Sequence, residues 1–477
     1  MSESDHQNSN PPPMPEPKTR PVGGTELSWC KAVPCGTGIT VLALLLTRPP
    51  NFSNLQTALH NLQNSHPILR SKHHFDPATG TYSFITLPTP QLQIQPFDLP
   101  STAPILQINP DNIAPLHQIL EHEMNLNPWQ NLDPSVESDT DVIYASRYAI
   151  SESRWVLVLR LHTSACDRAA AVAVLKELLG ELKSTGGGGA ERELKGDGEV
   201  SLGIEDLIPN GKANKPFWTR GVDMLGYSLN SLRLSNLEFQ DASSERRSQV
   251  VKLQLSPEDT HRLLSGCKSR DIKLCGALAA AGMIAARASK QLPDHQWEKY
   301  GVVTLLDCRP ILDPPLSINH LGFYHSAIMN THDINGEGNT LWDLAKRCYA
   351  SFASAKNSNK HFTDMADLNF LMCKAIENPG LTTSSSMRTA FISVFEDTVI
   401  DESSEINKEL GVEDYEGCAS AHGVGPSIAI FDTIRDGCLN CACVYPSPLH
   451  SREQMQDLMD RMKSILVNGC KDVESES

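Results

Sequence analysis

His162 and Asp167 lie close together in Leu157-Val-Leu-Arg-Leu-His-Thr-Ser-Ala-Cys-Asp167, just ahead of Arg168-Ala-Ala-Ala171. The first stretch is apolar and strand-like, and the second is Ala-rich and helix-like, so both polar groups fall on one strand-to-helix turn. A neutral imidazole held there can take a proton from a hydroxyl or amine as it attacks a carbonyl. Its ordinary pKa near 6.5 leaves much of it unprotonated at neutral pH. Taken without further context, Asp167 reads as the N-cap of the following helix and His162 as a half-buried strand-end residue.

The elements that must hold this turn belong to a long chain. With 477 residues it exceeds one ordinary core, and two domains of roughly 200 residues each are expected. A hydrophobic fraction of 40% is ample for burial. The formal charge of −16 argues against nucleic acid or anionic lipid as a general partner, because a phosphate surface would repel it. The first residues, Met-Ser-Glu-Ser-Asp-His, lack the basic and apolar regions of a signal peptide, and Ile39–Leu46 is far short of a membrane span. Thirteen cysteines read as reduced thiols, so a cytoplasmic setting is expected. Cys438 and Cys441 form a C-x-x-C, but no second pair completes a metal site. They sit in an alternating run and read as strand residues. No metal is expected.

Residues 1–22 are rich in Pro, Ser and Asn and read as disordered. Ser53 can cap a helix that puts Leu55, Ala58, Leu59 and Leu62 on one face, and Pro67 ends it. The Gly-rich run Gly186–Gly189 lacks the Lys-Ser/Thr of a phosphate loop and reads as a surface linker. A connecting region over 203–247 holds a candidate helix at Trp218–Leu232. Strands are expected at Tyr300–Leu306, Leu321–Asn330, Thr389–Val394, Ser427–Thr433 and Cys438–Tyr445, with Asp436-Gly437 as a hairpin turn. A helix from Ser451 to about Leu466 precedes an acidic tail at 469–477.

Five short motifs in order resemble the chloramphenicol-acetyltransferase-like superfamily, which includes condensation domains, alcohol acetyltransferases and plant CoA-dependent acyltransferases. They are His66-Pro-Ile-Leu-Arg70, the Leu161–Asp167 turn, Asp307-Cys-Arg-Pro310, Leu321-Gly-Phe-Tyr-His325 and Asp436-Gly-Cys-Leu439. The resemblance implies a mixed α/β fold of two lobes, near 23–202 and 248–468, with a tunnel at their interface. It implies acyl transfer from a CoA thioester to an alcohol or amine, with small-molecule donor and acceptor and no tightly bound cofactor. The alternative is a catalytically inactive condensation-domain-like binding protein or scaffold. A monomer is expected.

The resemblance also implies roles for residues. Asp167 matches the motif Asp and Arg309 its arginine partner, so the two are expected to pair across the lobes. Aligned on Asp167, however, the motif histidine falls on Thr163, and His162 matches the residue before it. A threonine hydroxyl is not basic at pH 7. Either His162 reaches the site through an extra residue in the turn, or His325 or His422 points into the tunnel, or the site has no base. Strand alternation sends His162 and Thr163 to opposite faces.

Overall fold

The structure is a computed structural model, and it describes residues 16–49, 51–107, 113–130, 135–185, 200–216, 234–336, 338 and 340–471. The strands of the first half are β1 (Lys18–Pro21), β2 (Thr37–Leu46), β3 (Ser71–Asp76), β4 (Thr81–Thr86), β5 (Ile94–Phe97), β6 (Ser138–Asp141), β7 (Ile143–Ala149) and β8 (Trp155–His162). Those of the second half are β9 (Arg247–Gln254), β10 (Glu298–Asp307), β11 (His325–Ile334), β12 (Arg388–Phe395), β13 (Val399–Asp401), β14 (Val412–Ala421), β15 (Gly425–Arg435) and β16 (Cys438–Ser447).

They form three sheets: β1-β4-β3-β6; β14-β2-β8-β7-β5; and β11-β10-β12-β15-β16-β9, with β13 beside β15. β2 is buried along nearly its whole length, as a run of Val, Leu and Ile with almost no polar break requires of an interior strand. One face of the five-stranded sheet is covered by helices Phe52–Ser65 and Arg168–Thr185. The other packs on helix Pro115–Asn125 and, through Val250 and Val444, on the sheet of the second lobe. That second sheet carries helices Leu274–Ala288, Leu341–Asn357 and Arg452–Lys471 on its outer side. The architecture is mixed α/β in two lobes.

Local chemistry sets several of these boundaries. Asn51, not Ser53, caps the first long helix, its side chain accepting from Asn54 N. Asp436 and Gly437, at φ 50° and 76°, make the two-residue turn that joins β15 to β16. The strand expected from Leu321 starts only at His325. Gly322 is at φ +143°, and the backbone of 322–324 serves Asp167 instead of a sheet. Residues 18–21, assigned to the disordered N-terminus, pair with β4. Arg20 forks onto Glu26 there at 2.7 and 2.9 Å, and the β4 partner some sixty residues on is what composition does not reveal. β14 lies in the second half of the chain yet pairs with β2, so the first lobe's sheet is not built from 23–202 alone. The Gly-rich run and the candidate helix at 218–232 lie outside the described residues, apart from Gly186's neighbours up to Thr185.

Candidate functional site

Thr163 begins the 3-10 turn Thr163–Ala165 directly after β8. Its Oγ1 donates to the Gly38 carbonyl at 2.5 Å, and Thr40 Oγ1 lies 3.0 Å away. With its proton on Gly38 O, Thr163 accepts from Thr40. The closeness depends on Gly38, at φ +93°, where a Cβ would stand 2.9 Å from the Trp29 ring and 3.0 Å from Thr163 Oγ1.

His162 points the other way. Its ring is 1% exposed and lies edge-on to His73 at 4.2 Å and Trp129 at 5.1 Å. Nδ1 accepts from Ser164 N at 3.2 Å and lies 2.9 Å from Ser164 Oγ. Burial, and then the neighbouring His73, push its pKa well below the ordinary histidine value, and burial takes His73 to about 3. No extra residue rotates the ring toward the cavity, so this imidazole is a packed neutral core group.

Such groups make stability depend on pH. Because the folded-state pKa values of His162 and His73 lie below the unfolded value of 6.5, the unfolded chain binds more protons as acid is added. Their contribution is complete above pH 6.5 and is lost as the pH falls toward the folded values. Denaturant unfolding at stepped pH is expected to show stability dropping from pH 6.5 to 5, with a shallower slope in His162→Phe. Equal slopes would refute it.

Asp167 caps helix Arg168–Thr185 by accepting from Ala170 N at 2.8 Å. It also ties the lobes together, accepting from Tyr324 N at 2.7 Å and from Arg309 Nη2 at 3.0 Å, with Arg309 Nη1 3.0 Å from its second oxygen. Arg309, 0% exposed, donates further to Asp307 and to the His320 carbonyl. Burial would raise the Asp167 pKa, but Arg309 and then His325 outweigh it and hold the carboxyl well below the usual range. Burial likewise opposes the Arg309 charge, and Asp167 and Asp307 more than restore it. Arg168 adds a second tie between lobes, 3.0 Å from Asp432 and stacked over Phe395.

Between the lobes lies a cavity of about 500 Å³. Its walls are mostly apolar and include Trp29, Leu42, Leu175, Leu305, Phe323, Met329, Phe395 and Phe431. Thr40, Thr163, Asp167 and His325 bring polar groups to it, while His162 and His422 do not line it. His325 Nδ1 stands 2.9 Å from Asp167 Oδ2, close but poorly aligned for a hydrogen bond. His422 lines a separate cavity, its Nδ1 2.9 Å from Ser248 Oγ. Sequence reasoning missed Gly38, Thr40 and the Ala419 that pairs with Thr40 across β2 and β14. The Gly36-Thr-Gly38 step at the start of β2 was the available signal. Among the described residues no cluster of three or more His, Cys, Asp or Glu side chains is arranged to hold a metal, and no helix is long and apolar enough to cross a membrane.

No family model matches the chain, and no curated protein sequence does. Solved structures do. The trichothecene 15-O-acetyltransferase of Fusarium sporotrichioides superposes with a TM-score of 0.70 at 12% identity, covering 98% of this chain and 100% of the other. The first condensation domain of the calcium-dependent antibiotic synthetase, in complex with a substrate analogue, gives 0.62 at 12% identity over 94% and 96%. The X-domain from teicoplanin biosynthesis gives 0.60 at 16% identity over 96% of both chains. The chain thus has the two-lobed mixed α/β fold that this acetyltransferase, the condensation domain and the X-domain share.

Proposed function

We propose that this chain binds an uncharged, apolar small molecule between its lobes and performs no acyl transfer with His162 as base. The observation that carries this reading is the turn at 162–163. The residue facing the cavity is a threonine whose hydroxyl is already engaged by Gly38 and Thr40, and the histidine beside it is buried against Trp129. An apolar cavity with a few convergent polar groups is the usual form of a small-molecule site. The teicoplanin X-domain has also been seen in complex with OxyB, so a binding role on this fold has a precedent.

A second reading rests on His325. An ionised Asp167 beside Nδ1 favours the tautomer with the proton on that nitrogen, leaving Nε2 as the free base. Nε2 could then take the proton of an alcohol or amine as it attacks the carbonyl of an acyl-CoA. The C–S bond would break, and the departing thiolate would receive the proton.

One pair of measurements separates the readings: titration with Nile red, an uncharged apolar dye, and release of free thiol from a panel of acyl-CoA donors with mixed acceptors. Saturable dye binding and thiol release at the buffer rate are expected. Rapid release, reduced roughly 10²–10⁴-fold in His325→Ala, would establish the second reading instead. His162→Ala is expected to change neither result.

A further inference from the structure

The second cavity, about 730 Å³, shares no lining residue with the first. It opens where helix Pro115–Asn125 meets the start of β9 and the turn around Ser385. Arg246, Arg247 and His422 are on its wall. Behind them lies Arg388, 3% exposed. Arg246 Nη1 and Arg388 Nε both donate to the Ser386 carbonyl, which brings two guanidinium groups onto one acceptor.

Like charges meet this way only if something offsets them. Yet among the described residues no carboxylate forms an ion pair with Arg246, Arg247 or Arg388, in a chain whose acidic side chains number 57 against 41 basic ones. Arg160, Arg168 and Arg309 each have one, whereas the buried Arg70 and Arg287 rest on carbonyls as Arg388 does; what sets this cluster apart is that two guanidinium groups share one carbonyl beside a cavity. Of the carboxylates on the wall, Glu121 is taken by Arg452 at 2.7 and 2.8 Å and Glu245 is exposed. Arg388 Nη1 donates to the carbonyls of Ala421 and Pro426, but Nη2 is buried without a partner, as is Nε2 of nearby His450. A buried cation with orphaned donors is destabilising unless an anion completes it.

We infer that this second cavity is a binding site for a small organic oxyanion, a phosphate ester or a polycarboxylate, held by Arg246 and Arg247 with Arg388 supplying charge from behind. The surrounding groups respond to the same excess of positive charge. Arg388 is brought down to about 9 by burial and then by Arg246, and His422 to about 4 by burial and then by Arg388, Arg247 and Arg246.

The test is thermal melting of the full chain with inorganic phosphate, citrate or chloride at matched ionic strength. At ten times its Kd, the effective anion is expected to raise Tm by roughly 1–3 °C over chloride. A response to phosphate alone identifies a phosphate ester, and one to citrate alone a polycarboxylate. Arg246→Gln, on a half-buried position, is expected to bind about tenfold more weakly and to lose most of the rise. Arg388→Met removes the uncompensated charge, so in chloride it is expected to melt at or above wild type while losing the anion response. Equal rises in wild type and Arg246→Gln would reflect general salt exclusion and overturn the site, as would no rise above chloride.

Discussion

Asp167→Asn is expected to cost the folded chain about 3–5 kcal/mol, the range for leaving one member of a buried ion pair without its partner. Arg309 is fully buried, and four groups converge on the carboxylate: Arg309, Tyr324 N, Ala170 N and the His325 ring. Asparagine keeps the shape but supplies one carbonyl oxygen where two oxygens now accept. Asp307, 2.8 Å from Arg309, retains part of the compensation and places the loss toward the lower end. Because the folded pKa of Asp167 is depressed, its contribution is fully present above the unfolded value of 3.8 and is lost as the pH falls through the folded one. The variant should therefore lose part of the wild-type protein's acid sensitivity below pH 3.8. Urea unfolding of the two proteins measures both effects. A loss under about 1 kcal/mol would mean that the pair is not what ties the lobes together. Adding Arg309→Met to Asp167→Asn should recover much of the stability, since no lone charge then remains.

Ala419→Trp is expected to weaken apolar-ligand binding at least 100-fold, on the order of 3 kcal/mol. Ala419 lies opposite Thr40 in the β14–β2 register, and both line the interlobe cavity. Cys418, its neighbour, faces the core on the other side of the sheet, against Met124. An indole at 419 therefore enters the cavity rather than the core and competes with the ligand for about 500 Å³. Nile red fluorescence reads the loss directly. Unchanged affinity with an unchanged melting temperature would place the ligand elsewhere and end the interlobe reading.

The strand-to-helix turn was legible because local pattern controls it. An apolar run feeding Asp167 and an Ala-rich helix leave few alternatives, and the alternation that separates His162 from Thr163 is a local rule. The two-residue hairpin at Asp436-Gly437 is of the same kind. What sequence could not reveal depends on distant partners. Residues 18–21 look like an unstructured leader until β4, some sixty residues on, receives them. The 321–324 segment looks like a strand, but its amide and carbonyl groups are taken by Asp167, more than a hundred residues earlier. The sharing of Ser386 between two arginines has no signature in spacing at all.

The pairing of β14 with β2 has a consequence in time. During synthesis β2 leaves the ribosome with its outer edge, one of the most apolar in the chain, and that edge receives its partner only when Val412–Ala421 emerges about 370 residues later. At 5–20 residues per second this is a wait of roughly 20–75 s with an unpaired edge exposed. Over that interval the first half of the chain is a template for any passing strand, including another nascent copy. Closing so distant a pair also places this fold among the slow ones, because the loop must be ordered before any contact in the pair rewards it. The lobe that folds first is thus finished last, and the cell must shelter it until the second lobe returns a strand.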